Sequence, residues 1–273
     1  EGVEFSGGTT FDVSFDDAVD AEAVRGALAS AFSENGVPGN PLVQTKDSPE
    51  KLRIMTNFMI DSESENVDEE INNALASGLS TLNTGYSIDM YNKVDSTISD
   101  DFRSGAKNAT IFSLIIIFLY IFFRFRKWQY GLGALIAMVH DVIVVLAVFS
   151  IFGGMLPFTM EIDQAFIAAI LTVIGYSIND TVVVFDRIRE YVGLYGKKKG
   201  EEELMNSALN STLSRTINTS LSTFVVLLTI FLLGGDNIKG FVFALMVGVI
   251  VGTYSSIFIA TPSVLDLSKR LTS

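Results

Sequence analysis

The chain has 273 residues, 49% of them hydrophobic, and a mean hydropathy of +0.41; this excludes an ordinary soluble enzyme and places the chain in the membrane class. It has no cysteine and a single histidine, His140, which excludes disulfides, thiolate chemistry and a metal site built from imidazoles, and no cofactor is expected. The net charge of −12 is split: residues 1–105 hold 20 Asp/Glu and 6 Lys/Arg, and residues 106–273 hold 11 and 13. An acidic first part argues against nucleic acid as a partner, because phosphates recruit Lys and Arg.

Residues 1–103 read as an α+β domain. A short β run spans 9–15, and helical periodicity follows over 18–32, with Ala23, Ala27, Leu28 and Ala31 on one side. Two β runs, 41–46 and 51–58, are joined by the turn-like Asp47-Ser48-Pro49-Glu50. A second helix is expected over 64–82. Its Glu65, Asp68, Glu69 and Glu70 sit near the positive N-terminal end, where acidic groups are favourable. A fourth strand is expected over 86–94. The order β-α-β-β-α-β is the ferredoxin-like pattern.

Residues 104–273 read as a helical membrane domain. Apolar stretches run over about 104–123, 130–152, 162–185, 217–233 and 241–261. A hydrocarbon core of about 30 Å needs roughly 20 apolar residues, so the first and fourth are short unless their polar flanks also enter the membrane. Arg124, Arg126, Lys127, Arg187, Arg189, Lys197, Lys198, Lys199, Arg215, Lys269 and Arg270 all fall on one side of these spans. Only Lys107 and Lys239 flank the other side. The basic side is therefore expected to be cytoplasmic, and the acidic domain 1–103 extracytoplasmic. A domain on that side ahead of five spans implies a further span, or a cleaved signal, upstream of Glu1.

Charged residues inside spans cost about 2.5–3.5 kcal/mol each on insertion scales, so they need partners and usually a role. Asp141, beside His140, lies near the middle of the second span, and Asp180 in the third. Ala168, Thr172, Tyr176 and Asp180 recur at a spacing of four, which places them on one helix face and turns Asp180 into protein. Gly133, Ala137 and Asp141 form a similar small-residue face. Arg215 opens the fourth span with a polar run (Thr216, Asn218, Thr219, Ser220, Ser222, Thr223) and is the expected counter-charge of Asp180. Its bland alternative is snorkelling to the interface. In the fifth span Ala244, Gly248, Gly252, Ser256 and Ala260 make a small-residue stripe suited to close helix packing.

The run Gly175-Tyr176-Ser177-Ile178-Asn179-Asp180-Thr181-Val182-Val183-Val184-Phe185-Asp186-Arg187-Ile188-Arg189-Glu190 resembles the signature of the SecF branch of the SecD/SecF protein-export family, within the resistance-nodulation-division superfamily. Phe5-Ser6-Gly7-Gly8-Thr9, Thr212-Leu213-Ser214-Arg215-Thr216 and Gly252-Thr253-Tyr254-Ser255-Ser256-Ile257-Phe258 resemble three further family motifs in the same order. The resemblance implies a membrane subunit of a prokaryotic plasma membrane. It implies a SecD-like partner, the SecYEG translocon and a translocating unfolded polypeptide as its company, and the proton gradient as its energy source. The family's intramembrane Asp and Arg correspond to Asp180 and Arg215, and its His-Asp pair to His140 and Asp141.

Other classes fit the residues less well. An intramembrane protease could use Asp141 with Asp180, or Ser177 with His140, but neither pair has Gly-x-Gly-Asp or Gly-x-Ser-Gly surroundings. A small-molecule exporter of the same superfamily and a purely structural export subunit remain the alternatives. No phosphate-binding Gly-x-x-x-x-Gly-Lys-Ser/Thr loop is present.

Overall fold

A computed structural model describes residues 3–272 except 35, 47, 61, 63–65, 95, 154, 157, 159, 197–199, 236 and 237, with the backbone alone at 3, 4, 96, 97 and 270–272. Asp47 of the expected turn, Ser64 and Glu65 of the second helix, Lys197 to Lys199 and the Arg270 side chain lie outside the described residues. The chain forms two compact units. One comprises residues 1–106 with 152–164, and the other residues 107–151 with 165–273.

In the first unit, a helical turn α1 (Val3–Ser6) leads into β1 (Gly8–Phe15), followed by α2 (Ala21–Ala31), β2 (Leu42–Lys46), β3 (Ser48–Thr56), α3 (Val67–Leu79) and β4 (Tyr86–Val94). The strands order β2-β3-β1-β4, with every neighbour antiparallel. This is the expected split βαβ arrangement. Alternation along the strands sends Phe11, Val13, Leu52 and Ile54 to one face, where they pack with Val24 and Leu28 of α2 and Ile71 and Leu75 of α3. Asp20 caps α2 by accepting from the Ala23 N–H at 3.3 Å, so that helix starts at Ala21 rather than 18.

β3 begins earlier than expected. Pairing with β1 starts only at Lys51, so Pro49 lies beyond that ladder and its missing N–H leaves no gap in it. Gly7 and Gly8 have φ of +71° and +126°. A side chain on Gly8 would strike the Thr56 carbonyl, so the glycines permit the close entry into β1.

The second unit is built from long helices. These are α4 (Ser96–Phe125, which starts in the first unit), α5 (Trp128–Phe152), α6 (Gln164–Tyr195), α7 (Glu201–Leu233) and α8 (Lys239–Ser255). A π-helical turn, Ser256–Ala260, continues α8 into α9 (Thr261–Thr272). Among the described residues, five helices are long and apolar enough to cross a membrane. Each is longer than its apolar run, because a helix satisfies its own backbone hydrogen bonds and continues into its polar flanks. The first and fourth spans are thereby long enough. Arg126, at φ +56°, ends α4 in the left-handed conformation. Near it Tyr130 packs edge-on against Phe185 at 4.9 Å and stacks on Phe125 at 5.3 Å.

Candidate functional site between the helices

α6 buries the stripe Ala169, Val173, Ser177, Asp180, Val184 and Ile188. This differs from the expected face: Ala168 and Thr172 are exposed, while Tyr176 is half-buried. A spacing of four advances about 40° per step on a helix of 3.6 residues per turn. The contact face lies one residue further on, through Ala169, Val173 and Ser177, and the drift brings only Asp180 of the set onto it, at 3% exposure.

α8 lies against this stripe. Any side chain at Gly248 would collide with Val173, and one at Gly252 would press on Ser177. Ala244, Gly248, Gly252, Ser256 and Ala260 are all buried. The π turn is where this stripe continues: Thr261 Oγ1 donates to the Ser256 carbonyl at 3.1 Å, five residues back.

Two carboxylates are held in different ways. Asp141 of α5 is fully buried. Ser177 of α6 and Ser255 of α8 donate to its Oδ2 at 2.6 and 2.9 Å. His140 Nδ1 lies 3.1 Å from its Oδ1, and the Tyr254 hydroxyl lies 2.9 Å from His140 Nε2. A neutral His140 protonated at Nδ1 satisfies both contacts: Nδ1–H donates to Asp141, and the Tyr254 hydroxyl donates to Nε2. Asp141 thus has three donors drawn from three helices.

Asp180 has fewer. Ser220 Oγ on α7 lies 3.4 Å from its Oδ2. That hydroxyl is contested, since it also lies 2.9 Å from the Thr216 carbonyl and has only one proton to give. Ser220 Oγ in turn accepts from Tyr176 Oη at 3.2 Å and lies 2.6 Å from Thr253 Oγ1, whose own single proton is shared with the Val249 carbonyl, also at 2.6 Å. Residues 253–255 of α8 therefore serve both carboxylates, Thr253 on the Asp180 side and Tyr254 and Ser255 on the Asp141 side.

Arg215, the expected counter-charge of Asp180, is exposed, and among the described residues no direct salt bridge joins the two. The reason is helix phase. α7 buries Leu204, Ala208, Thr212, Thr216 and Ser220 at a spacing of four, and Arg215 precedes Thr216 by one residue, about 100° around the helix. Arg215 remains near enough for its charge to act on Asp180. Gly175 and Asn179 of the same region are also exposed. Asp186 pairs with Arg124 of α4 at 2.9 Å, and Arg187 donates to Ser211 of α7 at 2.9 Å and to Glu190 at 2.6 Å. These hold the basic end of the bundle. Sequence reasoning missed Thr253, Tyr254 and Ser255 as partners of the carboxylates; they lay inside a quoted motif, but nothing local marked which way they faced.

The family model for the C-terminal part of the protein-export membrane proteins SecD/SecF matches residues 75–270. The protein translocase subunit SecF of Rhodothermus marinus is 41% identical over 98% of this chain and 83% of its own. That of Haemophilus influenzae is 37% identical over 98% and 77%. The chain belongs to the SecD/SecF family. Within it the position is that of SecF, a multi-pass membrane subunit of a protein translocase and a transport protein, not an enzyme. A crystal structure of SecDF from Thermus thermophilus, described as a translocon-associated membrane protein, superposes with a TM-score of 0.79 at 31% identity over 98% of this chain. The chain spans 34% of the length of that SecDF chain. A second SecDF crystal structure, in a super-membrane-facing form, gives 0.64 at 29% identity over 99% of this chain and 35% of its own.

Proposed function

We propose that this SecF subunit works with a SecD-like partner to assist export of unfolded polypeptides through the SecYEG translocon of a prokaryotic plasma membrane, and that Asp180 couples the work to the proton gradient. The observation that carries the reading is the contrast between the two buried carboxylates. Asp141 has donors on three helices and, with His140, is the second group assigned to proton coupling. Among the described residues Asp180 has one long, contested donor at a seam where α6, α7 and α8 meet. Its charge state is therefore set by what stands beside it: burial favours the neutral acid, and an approaching Arg215 favours the anion. Protonation from outside and release inside then alternate with movement of α7 relative to α6. One charge crossing 100 mV is worth about 2.3 kcal/mol, enough to bias a two-state element about 50-fold.

The orientation that fits puts residues 1–103 outside. Support comes from the basic residues gathered at one end of the helices, where Arg124, Asp186 and Arg189 interlock.

The test is Asp180→Asn, which keeps shape and removes the titrating group. Export driven by the proton gradient is expected to fall to the gradient-independent level, with the subunit still folded and inserted. Undiminished gradient-driven export would instead make Asp180 a structural lock.

A further inference from the structure

Residues 153–163 connect α5 to α6, yet they belong to the compact unit of the sheet. Phe158 and Met160 of this connection are buried. Leu156 and Phe158 line, with Leu42 and Gln44 of β2 and Pro49 of β3, a cleft of about 560 Å³. The connection also carries Glu161, whose side chain is 14% exposed.

Glu161 ends a chain of alternating charges, each on a different element. Lys46 Nζ of β2 donates to Asp12 Oδ2 of β1 at 2.8 Å. Arg53 of β3 grips the same carboxylate bidentately, Nε to Oδ1 at 2.7 Å and Nη2 to Oδ2 at 3.0 Å. The remaining guanidinium nitrogen, Nη1, lies 3.6 Å from Glu161 Oε1. Asp12 and Arg53 are register partners on the sheet face opposite the core residues Phe11, Val13, Leu52 and Ile54. The network therefore sits on the face that α2 and α3 leave uncovered.

Stability is a poor explanation for the Glu161 contact. Burial pushes the Glu161 carboxyl above its ordinary range, Arg53 pulls it back only in part, and Asp163 adds repulsion. Among the described residues Oε1 has no donor within hydrogen-bond distance, Arg53 Nη1 standing just beyond it. A buried ion pair is often no better than a neutral pair of the same volume; what it fixes is position.

We infer that Arg53 is a positioning residue for energy coupling: by holding Glu161 it ties the sheet unit to α6, so that movement of the helix carrying Asp180 is passed to the acidic domain. Glu161 stands three residues before Gln164, the first residue of α6. A displacement of that helix along its axis reaches Glu161 through almost no slack chain, and the rigid sheet carries it onward. The inference rests on the reading of Asp180 given above.

The experiment uses the full subunit with its SecD-like partner in membrane vesicles, with export measured with and without a proton gradient. Glu161→Gln keeps the shape and removes the charge. It is expected to lower the gradient-dependent increment by between about twofold and about thirtyfold and to leave gradient-independent export unchanged. A purely structural role would lower both. Because the chain has no cysteine, an Arg53→Cys/Glu161→Cys pair can be bridged with a short reducible bis-methanethiosulfonate. The unbridged pair is expected to lose the increment, bridging to restore it, and reduction to remove it again. Full gradient-dependent export by Glu161→Gln, or failure of the bridge to restore it in a folded pair, overturns the inference. Asp180→Asn run in parallel separates the two ideas. If only Glu161→Gln loses the increment, the tie stands and the Asp180 reading fails; if only Asp180→Asn loses it, the tie falls alone; if neither does, both fall.

Discussion

Three buried aspartates illustrate how environment assigns a role to one residue type. Asp12 has a side chain 7% exposed and two cations on it. Burial alone would raise its pKa, but the hydrogen bonds and charges of Arg53 and Lys46 outweigh it and hold the carboxyl below its usual range. A depressed folded pKa contributes stability above the unfolded value of about 4, and that stability is lost as pH falls through the folded value. Asp12→Asn strands two cations and is expected to destabilise the sheet unit by about 3 kcal/mol at neutral pH. It should also flatten the acid limb of the stability curve, and chemical unfolding followed between pH 7 and 3 checks both. Glu161 has the opposite sign: its raised pKa means stability is greatest below the unfolded value and declines as pH rises through the folded one. Asp141 and Asp180 were legible in the sequence because a carboxylate stands out in an apolar run. Their partners were not: Ser177, Ser220, Thr253 and Ser255 are unremarkable in a helix, and only contact between helices gives them a role.

At the level of elements, the limiting factor is rotation of each helix about its axis. Periodicity located α4 to α8, but a spacing of four is compatible with more than one buried face. It put Ala168 and Thr172 on the contact side of α6, where the structure leaves them exposed. The small-residue stripe of α8 is different, because its partner has no alternative. Gly248 lies directly on Val173, whereas nothing stands within 4 Å of the position a side chain at Gly175 would take. Gly248→Leu is therefore expected to lower stability in detergent by about 1–3 kcal/mol through overpacking. Gly175→Leu should leave it level or slightly higher, since glycine is a poor helix former. Thermal melts followed by circular dichroism would separate the two, and equal losses would contradict the packing assignment.

For the whole molecule, the proposed orientation is open to a direct test because the chain lacks cysteine. Met90, 45% exposed on β4, and Glu202, exposed at the start of α7, fall on opposite sides of the proposed topology. A membrane-impermeant maleimide is expected to label Met90→Cys in intact spheroplasts and Glu202→Cys only after permeabilisation; the reverse pattern would invert the topology. The sequence by itself determined the split between an acidic α+β part and an apolar helical part, the order of strands and helices, the number of long apolar helices and the family. The first three follow from composition and short-range periodicity, which record the solvent around each segment; the family rests on the resemblance carried by residues 175–190 and the motifs around it. Only the tertiary structure decided that His140, beside Asp141, meets Tyr254 across 114 residues of chain, that Arg215 is exposed, and that Glu161 of the connection before α6 lies against Arg53 of the sheet. Those are relations of phase and distance between remote segments, and no local pattern encodes them. The charge of Asp180 inside a membrane helix acquires its distinctive character, a buried carboxylate with one contested donor among the described residues, only when α7 and α8 are packed against it.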